Sequence, residues 1–176
     1  MIDHRHLIQT SRLTLVPPVL ADFGDYAALW ADVAVVRYMG DVPFSRSAAW
    51  TRFQRHAGCW ALRGFGAWIV RERDSGRFVG EVGFYDFMRE ISPALGPEPE
   101  AGWMLLPSAQ GKGFATEAVS AAHAWSDARF GAARTVCMID PNNAPSLRLA
   151  RKMGYVEYAR SKLGERLVVL HERVAR

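Results

Sequence analysis

The heptapeptide QGKGFAT at residues 110–116 joins an apolar, strand-like stretch to a helical pattern. Gly111 and Gly113 allow the sharp turn and the close ligand approach that a side chain would block. The first N–H groups of the following helix have no partner within it, and the helix dipole adds partial positive charge, so this helix mouth can bind an anion. Lys112 adds a full charge, and Thr116 adds a hydroxyl donor. The heptapeptide therefore predicts a phosphate-binding turn that opens a helix.

Two better-known phosphate loops do not match this turn. A Walker P-loop needs a GKS or GKT ending and an upstream glycine, and a dinucleotide fingerprint needs GxGxxG, of which only GxG is present. Glycine turns between a strand and a helix are also common, and many of them bind nothing. Taken alone, the turn leaves phosphate binding and a purely structural role open.

The composition is that of one globular domain spanning residues 1–176. The net charge of +4 suits a small anionic ligand and is weaker than a dedicated nucleic-acid surface needs, so we expect no direct nucleic-acid binding. The amino terminus lacks an apolar run, and no uncharged stretch is long enough to span a membrane. Cys59 and Cys137 belong to no metal or disulfide pattern and are expected to be reduced core thiols. We therefore expect a soluble, cytoplasmic protein.

The periodicity of apolar residues predicts a mixture of helices and strands. Helices are predicted over residues 20–32, 33–39, 45–62, 113–129 and 144–153, strands over residues 12–16, 67–72, 77–87, 101–106 and 135–139, two more strands around residues 163–165, and a loop over residues 91–99. The helix over 45–62 is expected to begin at Ser45 and to bury Trp50, Phe53, Ala57 and Trp60. The strand-turn-helix-strand order of the second half favours an α/β fold with a mixed sheet.

A second polar segment, DPNNAPSLRLARKMGY at residues 140–155, follows a predicted buried strand. Asn143 is placed at a helix amino terminus and Ser146 in the first turn, where each either contacts a ligand or is satisfied locally as a helix cap or first-turn residue. Arg148, Arg151 and Lys152 lie on the outer face of this helix, where they either contact an anion or are simply solvated.

Together the two segments resemble the GNAT superfamily of acetyl-CoA-dependent N-acetyltransferases. Gln110-x-x-Gly113-x-Ala115 matches the [RQ]xxGx[GA] pyrophosphate loop of that superfamily, and the run from Asn143 to Tyr155 is close to its NxxSxxLxxKxGF segment. The stretches TSRLTLVPP, FVGEVGFYDF and EAGWMLLPSAQGKGFATEA are similar to the ribosomal-protein (RimJ/RimL-like) branch. The resemblance covers nearly the whole chain.

The resemblance implies a mixed sheet, with helices on both faces, that splays apart between two central parallel strands. Acetyl-CoA would lie in this opening as the acetyl donor, and its pantetheine arm would pair with the strand before the loop. The residues that the resemblance places on the cofactor are Met104, Leu105, Leu106, Gln110, Gly111, Lys112, Gly113, Phe114, Ala115, Thr116, Asn143, Ser146 and Arg148. Arg148, Arg151 and Lys152 remain alternatives for the 3′-phosphate of CoA.

The implied reaction is direct attack of a primary amine on the thioester. A backbone N–H of Leu105 or Leu106 would hold the developing oxyanion, and Glu100 or Glu81 would accept the amine proton directly or through water. Many members carry a tyrosine that protonates the leaving thiolate, but the matching position here is Ala150. Ser146 is the candidate that would stabilise the thiolate instead.

The main alternative to an enzyme is a non-catalytic acyl-CoA-binding or sensing domain of the same fold. The acceptor is left open between a protein N-terminus, a free amino acid, a polyamine and an antibiotic, in a pocket expected from residues 20–62 and the loop over 91–99. No metal is expected, because the five histidines show no ligand spacing, and His123 is expected at the surface. A homodimer is plausible.

Overall fold

The computed structural model describes residues 6–131 and 134–174, and these residues form one eight-stranded sheet. Its strands are β1 (Ile8–Gln9), β2 (Leu13–Val16), β3 (Ala67–Glu72), β4 (Phe78–Tyr85), β5 (Glu100–Leu105), β6 (Arg134–Ile139), β7 (Val156–Leu163) and β8 (Arg166–Val174), in the spatial order β1-β2-β3-β4-β5-β6-β8-β7. All neighbouring strands run antiparallel except β5 and β6, which are parallel. The predicted α/β fold with a mixed sheet is confirmed.

The helices pack on both faces of this sheet. They are α1 (Phe23–Ala31), α2 (Val33–Val36), α3 (Arg46–Arg63), α4 (Phe114–Phe130) and α5 (Ala144–Lys152). On one face, α1 and α3 enclose an aromatic core around Tyr26, Trp30 and Phe53. On the other face, α4 and α5 pack against β3 to β6, and this second core includes Trp68 and Phe84.

The two parallel strands separate almost at once. β5 and β6 are paired only at Glu100 and Val136, next to a hydrogen bond from the N–H of Val136 to the carbonyl of Pro99 (3.1 Å). Beyond this point, within the part of the chain that the structure describes, the later residues of β5 form no strand pair with β6. Unpaired backbone N–H and C=O groups at such an opening favour an extended, amide-bearing ligand.

Most predicted elements are present, with ends shifted by a few residues. The Ser45 hydroxyl accepts a hydrogen bond from the N–H of Ala48 (3.1 Å) and begins α3 as expected. The helix predicted over residues 33–39 ends at Val36, and the helix predicted over 20–32 starts with a 3₁₀ turn. The two-residue β1 was not predicted, because such a short strand has no readable period.

Two predictions about burial were wrong. His123, on the inner face of α4, is buried rather than exposed. The hydroxyl of Tyr155, 2.8 Å from its Nε2, satisfies the ring nitrogen there. In α3 the buried residues are Ala49, Phe53 and His56, whereas Trp50 and Ala57, which were expected in the core, are exposed. The helix is therefore rotated relative to the predicted core face.

Candidate active site

The turn before α4 has the backbone that the glycines predict. Gly111 and Gly113 adopt left-handed conformations, with φ of 74° and 80°, which a residue with a Cβ reaches only at a cost of roughly 1–2 kcal/mol. The first backbone bond of the helix runs from the N–H of Glu117 to the carbonyl of Gly113 (3.1 Å). The N–H groups of residues 114–116 therefore point out of the helix mouth without partners in the helix.

Glu117 ties this turn to the amino-terminal strands. Its carboxylate accepts hydrogen bonds from the hydroxyls of Thr10 (2.6 Å) and Ser11 (3.1 Å) and from the backbone N–H (2.9 Å) and Nε (2.7 Å) of Arg12. Nη1 of Arg12 donates to the carbonyl of Lys112 (2.9 Å). Burial alone would raise the pKa of Glu117, but these hydrogen bonds outweigh it and lower the pKa to about 2. No sequence pattern indicated this clamp.

A cavity of about 690 Å³ lies between the mouth of α4, the end of β5, the start of α5 and α2. Among the residues predicted to contact the cofactor, those in its lining are Met104, Leu105, Gln110, Gly111, Gly113, Phe114, Ala115, Thr116, Asn143, Ser146 and Arg148. Leu106 and Lys112 do not line it. Of the three alternatives for the 3′-phosphate, Arg148 and Lys152 line the cavity, and Arg151 does not.

Backbone direction distinguishes the two oxyanion candidates. The N–H of Leu106 donates to the carbonyl of Val79 on the β4 side (3.0 Å). Successive residues of a strand point their backbone groups to opposite sides, so Leu105 faces the opening toward β6. The side-chain amide of Gln110 donates to the carbonyl of Leu105 (3.2 Å). Leu105 is therefore the residue whose N–H faces the opening, whereas the N–H of Leu106 is already paired with β4.

The start of α5 positions Ser146. Asn143 caps the helix, since its side-chain oxygen accepts from the N–H of Ser146 (3.2 Å). The Ser146 hydroxyl accepts a hydrogen bond from the indole N–H of Trp103 (3.1 Å) on β5. Because its oxygen already accepts one bond, the Ser146 hydroxyl can donate to a second group in the cavity. Trp103 was not predicted as a site residue.

A second cavity of about 110 Å³ lies on the α1–α3 side of the gap between β5 and β6. It shares Trp103, Met104, Asn143 and Ser146 with the larger cavity, so the two spaces meet beside Ser146. Its other walls include Trp30, Tyr38, Arg52, Tyr85, Phe87, Arg89, Glu100 and Asp140. The expected contribution from residues 20–62 is present, but the loop over 91–99 adds no lining residue, and the segment after β4 takes its place.

The two candidate bases have different surroundings. Glu100 lines the smaller cavity, and both of its oxygens accept hydrogen bonds from Arg89 (2.6 and 2.9 Å). Glu81 is fully buried outside both linings, with Nδ1 of His56 at 3.0 Å and Nη2 of Arg52 at 3.8 Å. Burial alone would raise the pKa of Glu81, but His56 and Arg52 lower it below its usual range. Burial lowers the pKa of His56 despite the attraction of Glu81.

Residues 12–156, most of the chain, match the acetyltransferase (GNAT) domain family. The chain belongs to the GNAT acetyltransferase family. This agrees with an open parallel strand pair, a glycine turn at a helix mouth and a cavity between them.

Relatives of this GNAT domain include an uncharacterized N-acetyltransferase, YnaD, of Bacillus subtilis, which is 26% identical over 136 residues (76% of this chain and 74% of YnaD). A solved structure assigned to the GnaT-family acetyltransferases of Bordetella pertussis is 31% identical, with a TM-score of 0.86, and the match covers 97% of this chain and 100% of that one. RimL, a ribosomal L7/L12 alpha-N-protein acetyltransferase solved with coenzyme A, is 16% identical with a TM-score of 0.78, covering 97% and 98%. At that identity RimL shares the fold, and the ribosomal branch is not established.

Two other features are absent from residues 6–131 and 134–174, a metal site and a membrane-spanning helix. No group of His, Cys, Asp and Glu there could hold a metal ion. No helix in this described part is long and apolar enough to cross a membrane.

Proposed function

We propose that this protein transfers an acetyl group from acetyl-CoA to a primary amine by direct attack of the amine on the thioester. The observation that carries the proposal is the junction of two cavities beside Ser146, at the gap between β5 and β6. A donor in the larger cavity and an amine in the smaller one would meet there without a covalent enzyme intermediate.

The larger cavity suits CoA in three ways. The free N–H groups of residues 114–116 and the helix dipole favour the pyrophosphate, and Lys112 adds charge close by. The outward backbone groups of Trp103 and Leu105 suit the amides of the pantetheine arm. Arg148 and Lys152, at the rim formed by α5, are the cations that we assign to the 3′-phosphate.

The chain's own groups supply each requirement of the transfer. The N–H of Leu105 would stabilise the oxyanion that forms as the amine nitrogen bonds to the carbonyl carbon. The C–S bond then breaks, and the hydroxyl of Ser146, polarised by Trp103, would donate a hydrogen bond to the departing thiolate. We assign Glu100 as the acceptor of the amine proton, because it lines the smaller cavity and Glu81 does not.

A second candidate function is an acyl-CoA sensor without catalysis. Two observations favour it. The candidate base Glu100 is hydrogen-bonded to Arg89, and position 150, where many family members have the tyrosine that protonates the thiolate, is an alanine. A carboxylate has about four lone-pair positions, so the Arg89 pair leaves Glu100 able to accept a further proton donor.

The two functions differ in turnover. We expect acetyl-CoA to raise the melting temperature and a panel of amines to release free thiol from it. Glu100→Gln should lower kcat/KM by about 10²–10⁴-fold with the stabilisation by acetyl-CoA retained, whereas Glu165→Gln, in the exposed β7–β8 turn, should match the wild type. Stabilisation without thiol release on a broad panel would establish the sensor instead.

We also propose a cytoplasmic location, where Cys59 and Cys137 would remain free thiols. The similarity of the sequence stretches quoted above supports a further proposal, that the chain belongs to the ribosomal-protein branch of the family.

A further inference from the structure

The smaller cavity contains an arginine that the acetyl transfer described above does not use. Arg52 projects from α3 into this cavity, with 16% of its side chain exposed. Its guanidinium carbon lies 4.0 Å from the ring centre of Trp30, 5.9 Å from that of Tyr85 and 5.4 Å from that of Phe87. Aromatic faces hold the guanidinium in place and stabilise its charge, and the Tyr26 hydroxyl is a hydrogen-bond partner of the guanidinium.

Arg52 is incompletely paired. Its nearest carboxylate contact is Glu81, at 3.8 Å, which is too long for a hydrogen bond. Its buried Nε has no hydrogen-bond partner among the described residues. A buried N–H donor without a partner is costly, and most buried polar groups in native proteins are satisfied. The exposed part of the Arg52 side chain borders the cavity, where the guanidinium can bind an anionic oxygen.

The site has room for a positive group close to that anion. Arg52 lies beside the ring of Tyr85, and Tyr85 is directly opposite Glu100 across the β4–β5 pair. The guanidinium groups of Arg52 and Arg89 also contact the same ring, that of Phe87 (5.4 and 4.4 Å). Arg52 and the Glu100–Arg89 pair therefore border one small space. A ligand with a negative and a positive group close together could place the negative group at Arg52 and the positive group at Glu100.

The charges around this space favour a zwitterion. The charged side chains in its lining are two arginines, Arg52 and Arg89, and two carboxylates, Glu100 and Asp140, and the buried Glu81 lies behind Arg52 outside the lining. A polyamine would bring several positive charges to a lining in which Arg89 already neutralises Glu100. A molecule with one ammonium and one carboxylate brings no net charge and can pair with both kinds of side chain.

We propose that the acetyl acceptor is a small α-amino acid whose carboxylate binds Arg52. The inference rests on the proposed acetyl transfer and names its substrate class. Arg52 is a binding residue in this scheme, which holds the acceptor so that its amine lies on the Glu100 side and faces the junction at Ser146.

The test compares each amino acid with its own carboxamide, which has the same side chain and amine but no carboxylate. Thiol release is measured with acetyl-CoA for the common amino acids, their carboxamides, spermidine and a short peptide. We expect at least one amino acid to exceed its carboxamide by about 10- to 100-fold in kcat/KM, the range for losing a charge-assisted contact. The amine of a carboxamide is less basic and more often neutral, so amine reactivity cannot produce this preference.

Variants then assign the preference to Arg52. Arg52→Gln should bring the acid-to-carboxamide ratio of kcat/KM close to one by raising KM for the acid. Arg52→Lys, which keeps the charge, should retain part of the preference. Arg55→Gln removes an exposed arginine of the same helix that lies outside the cavity lining, and it should keep the full preference. Circular dichroism checks that each variant is folded.

The outcomes separate this inference from the proposed function. Turnover of carboxamides, peptide or spermidine at rates equal to those of the free acids would overturn the amino-acid assignment and leave acetyl transfer intact. A preference for acids that survives in folded Arg52→Gln would overturn the role of Arg52. Absence of thiol release with every amine would refute acetyl transfer and the inference together. The wild-type acid-to-carboxamide ratio needs no variant, so the proposal stays testable if Arg52→Gln does not fold.

Discussion

Replacing Glu117 with glutamine should loosen the phosphate turn and destabilise the fold in a pH-dependent manner. The carboxylate joins Thr10, Ser11 and Arg12 to the first turn of α4, and Arg12 in turn holds the carbonyl of Lys112. Glu117→Gln keeps the size of the side chain but removes its charge and replaces one acceptor oxygen by a donor. In the variant, the side-chain NH₂ group, which is a donor, faces hydroxyl and N–H donors that the carboxylate had accepted, so some of these donors lose their acceptor.

The expected loss follows from the pKa of Glu117, which is about 2 in the folded chain against an ordinary value of 4.5. At about 1.36 kcal/mol per pKa unit, this difference corresponds to about 3 kcal/mol of folding free energy. Solvent screens part of this, because 49% of the Arg12 side chain is exposed, and we expect about 2 kcal/mol. For a chain of this length that is a fall in Tm of about 4–8 °C.

Urea unfolding of wild type, Glu117→Gln and the control Glu157→Gln between pH 7 and pH 2 measures this effect. Glu157 is an exposed carboxylate paired with Arg160, so solvent screens the pair and its loss should change the stability little. Because the folded pKa of Glu117 lies below the unfolded one, its stabilisation is complete above about pH 5 and is lost as the pH falls toward 2. A deficit in Glu117→Gln that matches the control at pH 7, or that stays constant with pH, would refute the clamp.

Two further predictions concern the acetyl-CoA side. Gly113→Val forces a β-branched residue into a left-handed conformation, with its Cβ about 3.4 Å from Arg12. Stabilisation by CoA should therefore disappear in thermal-shift titrations, while the circular dichroism spectrum remains close to wild type. Unchanged CoA affinity would contradict the turn assignment. Ser146→Ala removes the proposed donor to the thiolate and should lower kcat by about tenfold with little change in KM for acetyl-CoA, and a wild-type kcat would exclude that role.

Local patterns in the sequence predicted the features that depend on neighbouring residues alone, which are the phosphate turn and most helices and strands. Gly111 and Gly113 lie within one turn of chain, and the strand before them and the helix after them have their own periods, so the phosphate turn and most elements could be read directly. The α/β class followed from the order of those elements. The splayed parallel pair came from the resemblance to the family, because no local pattern shows where two strands separate.

Contacts between distant segments could not be read in the same way. Glu117 is more than a hundred residues from Thr10 and Arg12, and a glutamate in the first turn of a helix is ordinary in itself. His123 was expected at the surface because histidine is polar, whereas the return of the chain at Tyr155 supplies the hydroxyl that permits its burial. Only the assembled sheet brings these partners together.

The largest error from sequence, the rotation of α3, arises at the proposed acceptor cavity. Choosing the most apolar stripe of that helix leads to Trp50, Phe53, Ala57 and Trp60 as the core face, and leaves Arg52 and His56 toward solvent. The structure turns Arg52 inward instead, where its nearest carboxylate oxygen, on the buried Glu81, is 3.8 Å away and its Nε has no hydrogen-bond partner among the described residues. Burying an arginine opposes the local rule, and such violations in natural proteins concentrate at functional sites. Packing gives no reason for a charge at this position, and Arg52 lies in the cavity lining with the Glu100–Arg89 pair, which supports its assignment as the residue that binds the acceptor.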